Sequence, residues 1–119
     1  LPSRPRMNVE QWDVIRFRIN PSDRDLHPGV VISTQEWCTD PRKLRLNVLA
    51  CSKRLPIEDP RHHQVLLNGS DGLEFPTLCG CEFFHVVPRE RVTEKIGRVS
   101  LARRRAIGRK VNEVFRFLS

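Results

Sequence analysis

LCGCEFFHVVP at residues 78–88 and SLARRRAIGRKVNEVFRFLS at residues 100–119 decide the fold. The first is the longest β-prone run of the chain, and it is closed by Pro88, which cannot donate to a ladder. The second opens on Ser100, a residue type that caps helices. It repeats Ile107, Val111, Val114 and Leu118 at spacings of four, three and four. Such a stripe predicts a helix packed against the strands, with Arg103, Arg104, Arg105 and Arg109 mostly facing outward. Gly108 costs this helix about 1 kcal/mol relative to Ala.

Upstream, the pattern has a period of two. Residues 12–19 place Ile15, Phe17 and Ile19 on one face and Arg16 and Arg18 on the other, which predicts a half-buried strand. Asn20-Pro21-Ser22-Asp23 is a turn, because Pro fixes φ and the small polar side chains bond nearby backbone. A polar loop leads through His27-Pro28-Gly29 into a short apolar strand at Val30-Val31-Ile32, and residues 33–42 read as loop. Residues 43–51 alternate again, with Leu44, Leu46, Val48 and Ala50 sharing a face. Residues 64–67 form a further strand, ended by the turn signals Asn68-Gly69 and Asp71-Gly72. Residues 89–95 read as one or two helical turns. Short strands followed by one amphipathic helix predict a mainly β fold: a small, strongly curved antiparallel barrel with a C-terminal helix. Residues 1–9 are expected to be a flexible basic arm, and residues 10–119 one domain.

A chain of 119 residues suits one domain with a modest core. Hydrophobic residues at 39% against 29% charged indicate a globular chain. No apolar run approaches the ~18 residues of a membrane span, and the first residues lack a signal-peptide segment. A cytoplasmic protein with no membrane partner is therefore expected. Cys38, Cys51, Cys79 and Cys81 are expected to be reduced and buried. Cys79-x-Cys81 lacks the ligand spacing of structural zinc sites, so no metal and no cofactor are expected. The net charge of +7 is concentrated in residues 89–110, where nine basic residues face only Glu90 and Glu94. Such a lobe attracts a polyanion or an acidic protein, or serves as a solvated face.

The phosphate-binding, zinc-protease and nucleophile-elbow motifs are absent. His62-His63 reads as solvated loop, since adjacent side chains of an extended segment diverge. Cleaving RNA without a metal needs a base for the 2′-OH, an acid for the leaving 5′-oxygen and a donor for the phosphorane. Imidazole matches the first two at neutral pH. His27, at a loop-to-strand junction, and His85, three residues after Glu82 in the long strand, are the candidates; packing or surface roles are the alternatives. Ser52, at a strand end, could bond a phosphate or cap the chain.

Asp13-Val14 with Pro21 following, HPGVVIS at 27–33, NVLACS at 47–52 and CEFFHVVPRERVTEKIGRVS at 81–100, in that order and separation, resemble the MazF/PemK/Kid family of bacterial toxin endoribonucleases. Arg91, Lys95, Ile96, Gly97 and Ser100 keep the spacing of its most specific segment. The resemblance implies a homodimer of SH3-like barrels, each closed by a C-terminal helix. It also implies sequence-selective cleavage of single-stranded mRNA to a 2′,3′-cyclic phosphate and neutralisation by a cognate antitoxin. His27 stands where the family places an Arg before Pro, and Ser52 matches a functional Thr or Ser. Gly80 and Glu82 stand where Kid-like members place Arg and Asp, and His85 replaces another Arg. The implied catalytic set is His27, Ser52, Glu82 and His85, with Arg16, Arg18, Arg24 and Lys53 binding RNA. The alternatives are a catalytically weak or inactive RNA- or protein-binding module on the same barrel, and a gyrase poison of the CcdB type.

Overall fold

The computed structural model describes residues 7–53 and 60–116. Six strands form one antiparallel sheet: β1 (Asp13–Phe17), β2 (His27–Val31), β3 (Arg45–Lys53), β4 (Gln64–Leu67), β5 (Thr77–Pro88) and β6 (Val92–Arg98), in the order β4-β5-β3-β2-β1-β6. Helix α1 (Gln35–Thr39) precedes β3, and α2 (Leu101–Phe115) follows β6. The mainly β fold with a C-terminal helix is as expected.

The three middle strands are buried on both faces. Val14, Val30 and Leu49 point into a core shared with Cys51, Cys79, Cys81 and Ile107 of α2. Their neighbours Ile15, Val31 and Val48 point into a second core with Val9, Phe17 and Cys38 of α1. The first strand is therefore not half-buried, and Ile19 lies beyond its end at 48% exposure. Leu44 is likewise exposed ahead of β3, whereas Leu46 and Val48 are buried as the alternation predicts. Within the stretch read as an arm, Val9 is buried and Met7 packs beside it. Leu118, Arg4 and Arg6 lie outside the described residues.

Two further readings are corrected. Residues 33–42 contain α1, because the Thr34 hydroxyl accepts the Trp37 N–H and buries Cys38 on the inner side of one helical turn. Residues 89–95 are a brief helical turn at Arg89–Arg91 followed by β6, which pairs along β1. Alternation in Val92-Thr93-Glu94-Lys95-Ile96 carries that strand more strongly than helix propensity carries a helix.

Curvature comes from close backbone approaches. The turn after β4 lies directly on β6, so that a Cβ on Gly97 would overlap the Asp71 carbonyl, while Gly72 takes the left-handed φ of +80°. The two edge strands are thereby drawn toward each other. In α2, Ile107 is fully buried and Val111 packs against the same core, but Val114 is 37% exposed, contrary to the predicted stripe. At the end of the helix Phe115 stacks on Phe84 of β5 with ring centroids 5.0 Å apart. Arg103 and Arg104 are also not simply outward: they bond Asp71 (2.7 Å) and the Val99 carbonyl (2.8 Å).

Candidate active site

β5 is bent where its partners change. Cys51 pairs with Cys79 and Leu49 with Phe84, so four residues of β5 (80–83) oppose Ala50 alone. This wide irregularity, of the kind that re-aims side chains next to active sites, turns Glu82 and Phe83 out of the ladder. Beneath it lies an open concavity of about 190 Å³, lined by Ala50, Ser52, Gln64, Glu82, Phe83 and His85 among others. Three of the four residues expected to be catalytic, Ser52, Glu82 and His85, thus come together on one surface. Each arrives for a local reason. Ser52 is exposed at the end of β3, His85 sits opposite Val48 on the face of the second core, and Glu82 is carried by the bulge.

His27 does not line this concavity. It occupies the same face of the sheet, opposite Phe17 on β1, and lies two residues before Gly29, the partner of Ala50. Its Nε2 is 2.9 Å from Asp23 Oδ2. The Asp25 backbone N–H, and then His27 itself, hold the Asp23 carboxyl below the usual carboxylate range. Asn20 Oδ1 accepts from the Ser22 N–H and hydroxyl, and the Arg18 guanidinium bonds the Asp23 carbonyl, so the loop before β2 is tied from within.

The cations expected to bind RNA are dispersed. Arg16 pairs with Glu94 at 2.8 Å and lines a separate concavity of about 290 Å³ with Pro28 and Phe75, across the sheet from His27. Arg18 and Arg24 are exposed on or beside the β1–β2 loop. Lys53 ends β3 opposite Thr77, and its side chain lies outside the described residues. Among the described residues lining the first concavity, none is Arg or Lys.

Sequence reasoning missed two groups. His63, read as solvated loop, holds Glu82 Oε1 at 2.8 Å and is only 26% exposed, while His62 is 81% exposed as expected. Phe83, at 68% exposure, presents its ring at the lip of the concavity. No spacing rule signals the His63 contact, because it depends on the bulge. All four cysteines are free and buried, as expected. No described helix is long and apolar enough to cross a membrane.

No protein-family model matches this chain, and no curated protein matches it by sequence. Solved structures do match. The toxin MazF-mt6 of Mycobacterium tuberculosis superposes with a TM-score of 0.71 at 12% identity, covering 87% of this chain and 96% of that one. An endoribonuclease from a mycobacterial species gives 0.74 at 11% identity, with 95% and 96% coverage. A mycobacterial endoribonuclease in complex with its cognate antitoxin gives 0.71 at 11% identity, with 91% and 93% coverage. The chain has the MazF-like toxin fold over most of its length.

Proposed function

We propose that this chain is an endoribonuclease that cuts single-stranded RNA without a metal, selects short sequences, and acts as the toxin of a toxin–antitoxin pair. The observation that carries this reading is the convergence of Ser52, Glu82 and His85 on one open concavity, in a fold shared with chains described as endoribonucleases and toxins. The chemistry requires only proton transfer and charge stabilisation. The 2′-oxygen attacks phosphorus as a base removes its proton, and the 5′-oxygen leaves as an acid protonates it. The products are a 2′,3′-cyclic phosphate and a 5′-hydroxyl. In this reading His85 is the imidazole that serves the reacting phosphate. The Ser52 hydroxyl donates to a non-bridging oxygen. His27, fixed by Asp23 on the same face, meets a neighbouring phosphate, with Arg18, Arg24 and Lys53 as further contacts. Phe83 offers a face on which a base can stack.

The protein is read as a homodimer. Beyond Gly80 β5 has no β4 partner, and Phe84 and Val86 lie partly exposed along that edge, an arrangement that favours burial against a second copy. An antitoxin is the expected second partner, by analogy with the neighbour solved with its own. The test is incubation of the protein and its H85A and H27A variants with mixed-sequence single-stranded RNA. Loss of ~10² in rate is expected for H85A and a weaker, binding-dominated effect for H27A. One observation favours the second reading, a binding module without strong catalysis: no described Arg or Lys lines the concavity to neutralise a phosphorane. Equal background cleavage by all three proteins, with RNA still bound, would select it.

A further inference from the structure

We infer that His63 is a second proton-transfer group of this site and that Glu82 is its orienting carboxylate. The inference rests on the ribonuclease reading and gives Glu82 a different task from that of a free base. Nε2 of His63 lies 2.8 Å from Oε1 of Glu82, and Glu82 lines the concavity with Ser52 and His85. The carboxylate is therefore shared between the RNA-facing surface and an imidazole. The backbone fixes the pair as well: the His63 carbonyl accepts the Cys81 N–H at 2.9 Å, which pins the residue before β4 beside the bulge bearing Glu82.

The other histidines lack one element each. His62 is almost fully exposed, and its Nε2 lies 3.7 Å from Glu113 Oε2. His27 has a carboxylate partner in Asp23, but neither residue lines the concavity. His63 flanks the lining residue Gln64 and, among the contacts of the described residues, combines a short carboxylate contact with a partner that lines the concavity.

The geometry sets the chemistry. With Nε2–H donated to Glu82, Nδ1 carries the ring's lone pair, and the carboxylate stabilises the imidazolium that forms, the same logic by which an acid orients a catalytic histidine. Nδ1 of His63 accepts the 2′-OH proton as the 2′-O–P bond forms. His85 donates a proton to the 5′-oxygen as the P–O5′ bond breaks. Proton exchange with water restores both imidazoles, so the step balances without a co-reactant. The charged groups on α2 next to these residues are Glu113, 3.7 Å from His62, and Lys110, whose charge acts on the Cys81 thiol.

The experiment measures kcat/KM against pH for the full chain and for H63A, H63Q, E82Q and H62A, with RNA affinity and thermal unfolding recorded for each. H63A and H63Q should lose on the order of 10² in kcat/KM, bind RNA as before and lack the acidic limb. Free imidazole should restore part of the H63A rate. E82Q should lose less in kcat than H63A and leave RNA affinity and thermal unfolding near the parent's. H62A should match the parent. A parent that cuts RNA while folded H63A and H63Q cut equally fast with an unchanged profile would overturn this role and leave the ribonuclease reading standing. A parent that binds RNA and cuts none would overturn both.

Discussion

Nε of Arg103 on α2 donates a 2.7 Å hydrogen bond to Oδ2 of Asp71, a carboxylate with no solvent exposure in the turn after β4. The same carboxylate accepts the Asn68 and Ser100 N–H groups at 3.0 and 2.8 Å. One side chain thus ties the β4 turn, the start of α2 and the helix's first basic group together. Removing one partner of a buried pair leaves an uncompensated charge, which costs about 3–5 kcal/mol. Asp71→Ala should therefore lower the unfolding free energy in urea by that amount at an unchanged m-value, and Arg105→Ala, with no described partner, should leave it nearly unchanged.

The helix stripe gives a second stability test. Ile107 is 1% exposed and Val114 37%. Ile107→Ala should cost about 2–5 kcal/mol through lost burial and the cavity left behind. Val114→Asp should cost far less, because the new carboxylate reaches water. Equal losses in denaturant unfolding would mean that α2 packs along its whole length.

Alkaline pH should destabilise the protein through its thiols. Burial raises the Cys38 pKa, hydrogen bonding with Cys51 raises that of Cys79, and hydrogen bonding with Cys79, followed by burial, raises that of Cys81. A group whose folded pKa is raised contributes stability that is complete below its unfolded value, about 8.5 for a thiol, and that is lost as pH rises toward the folded value. The chain contains no Tyr to titrate in the same range. The urea midpoint should fall between pH 8 and pH 10 (roughly the span over which unfolded thiols ionise), and Cys81→Ala should flatten that fall.

Phe83 should serve binding and not chemistry. A base stacked on an aromatic ring is worth about 1–3 kcal/mol by alanine substitution. Phe83→Ala should raise KM for RNA by roughly 5- to 150-fold with kcat nearly constant. A fall in kcat at constant KM would move Phe83 out of the substrate path.

The middle strands and α2 were legible because period-two runs and the Ile107 stripe follow from burial alone. α1 was not, since a helix of one turn held by Thr34 offers too few residues for a period to register. β6 was misread because the Arg-rich segment looks helical until β1 is available to pair with it. Ser52, Glu82 and His85, singled out by an ordered resemblance and by imidazole chemistry, line one concavity. Arg16 lies across the sheet from His27 because the strand alternates between its two faces. His63 stayed hidden because its partner is set by a four-residue bulge that no local pattern in Gly80-Cys81-Glu82-Phe83 announces.

The central claim is transesterification at the 2′-oxygen, and the direct measurement compares one RNA with the same strand carrying a single 2′-deoxynucleotide at the scissile position, both in excess EDTA. The account predicts that the protein cuts the RNA, leaving a 2′,3′-cyclic phosphate and a 5′-hydroxyl by mass spectrometry. The deoxy strand should bind with similar affinity and remain whole. Cleavage of the deoxy strand at the same position and rate, or RNA that is bound and left intact, would contradict it.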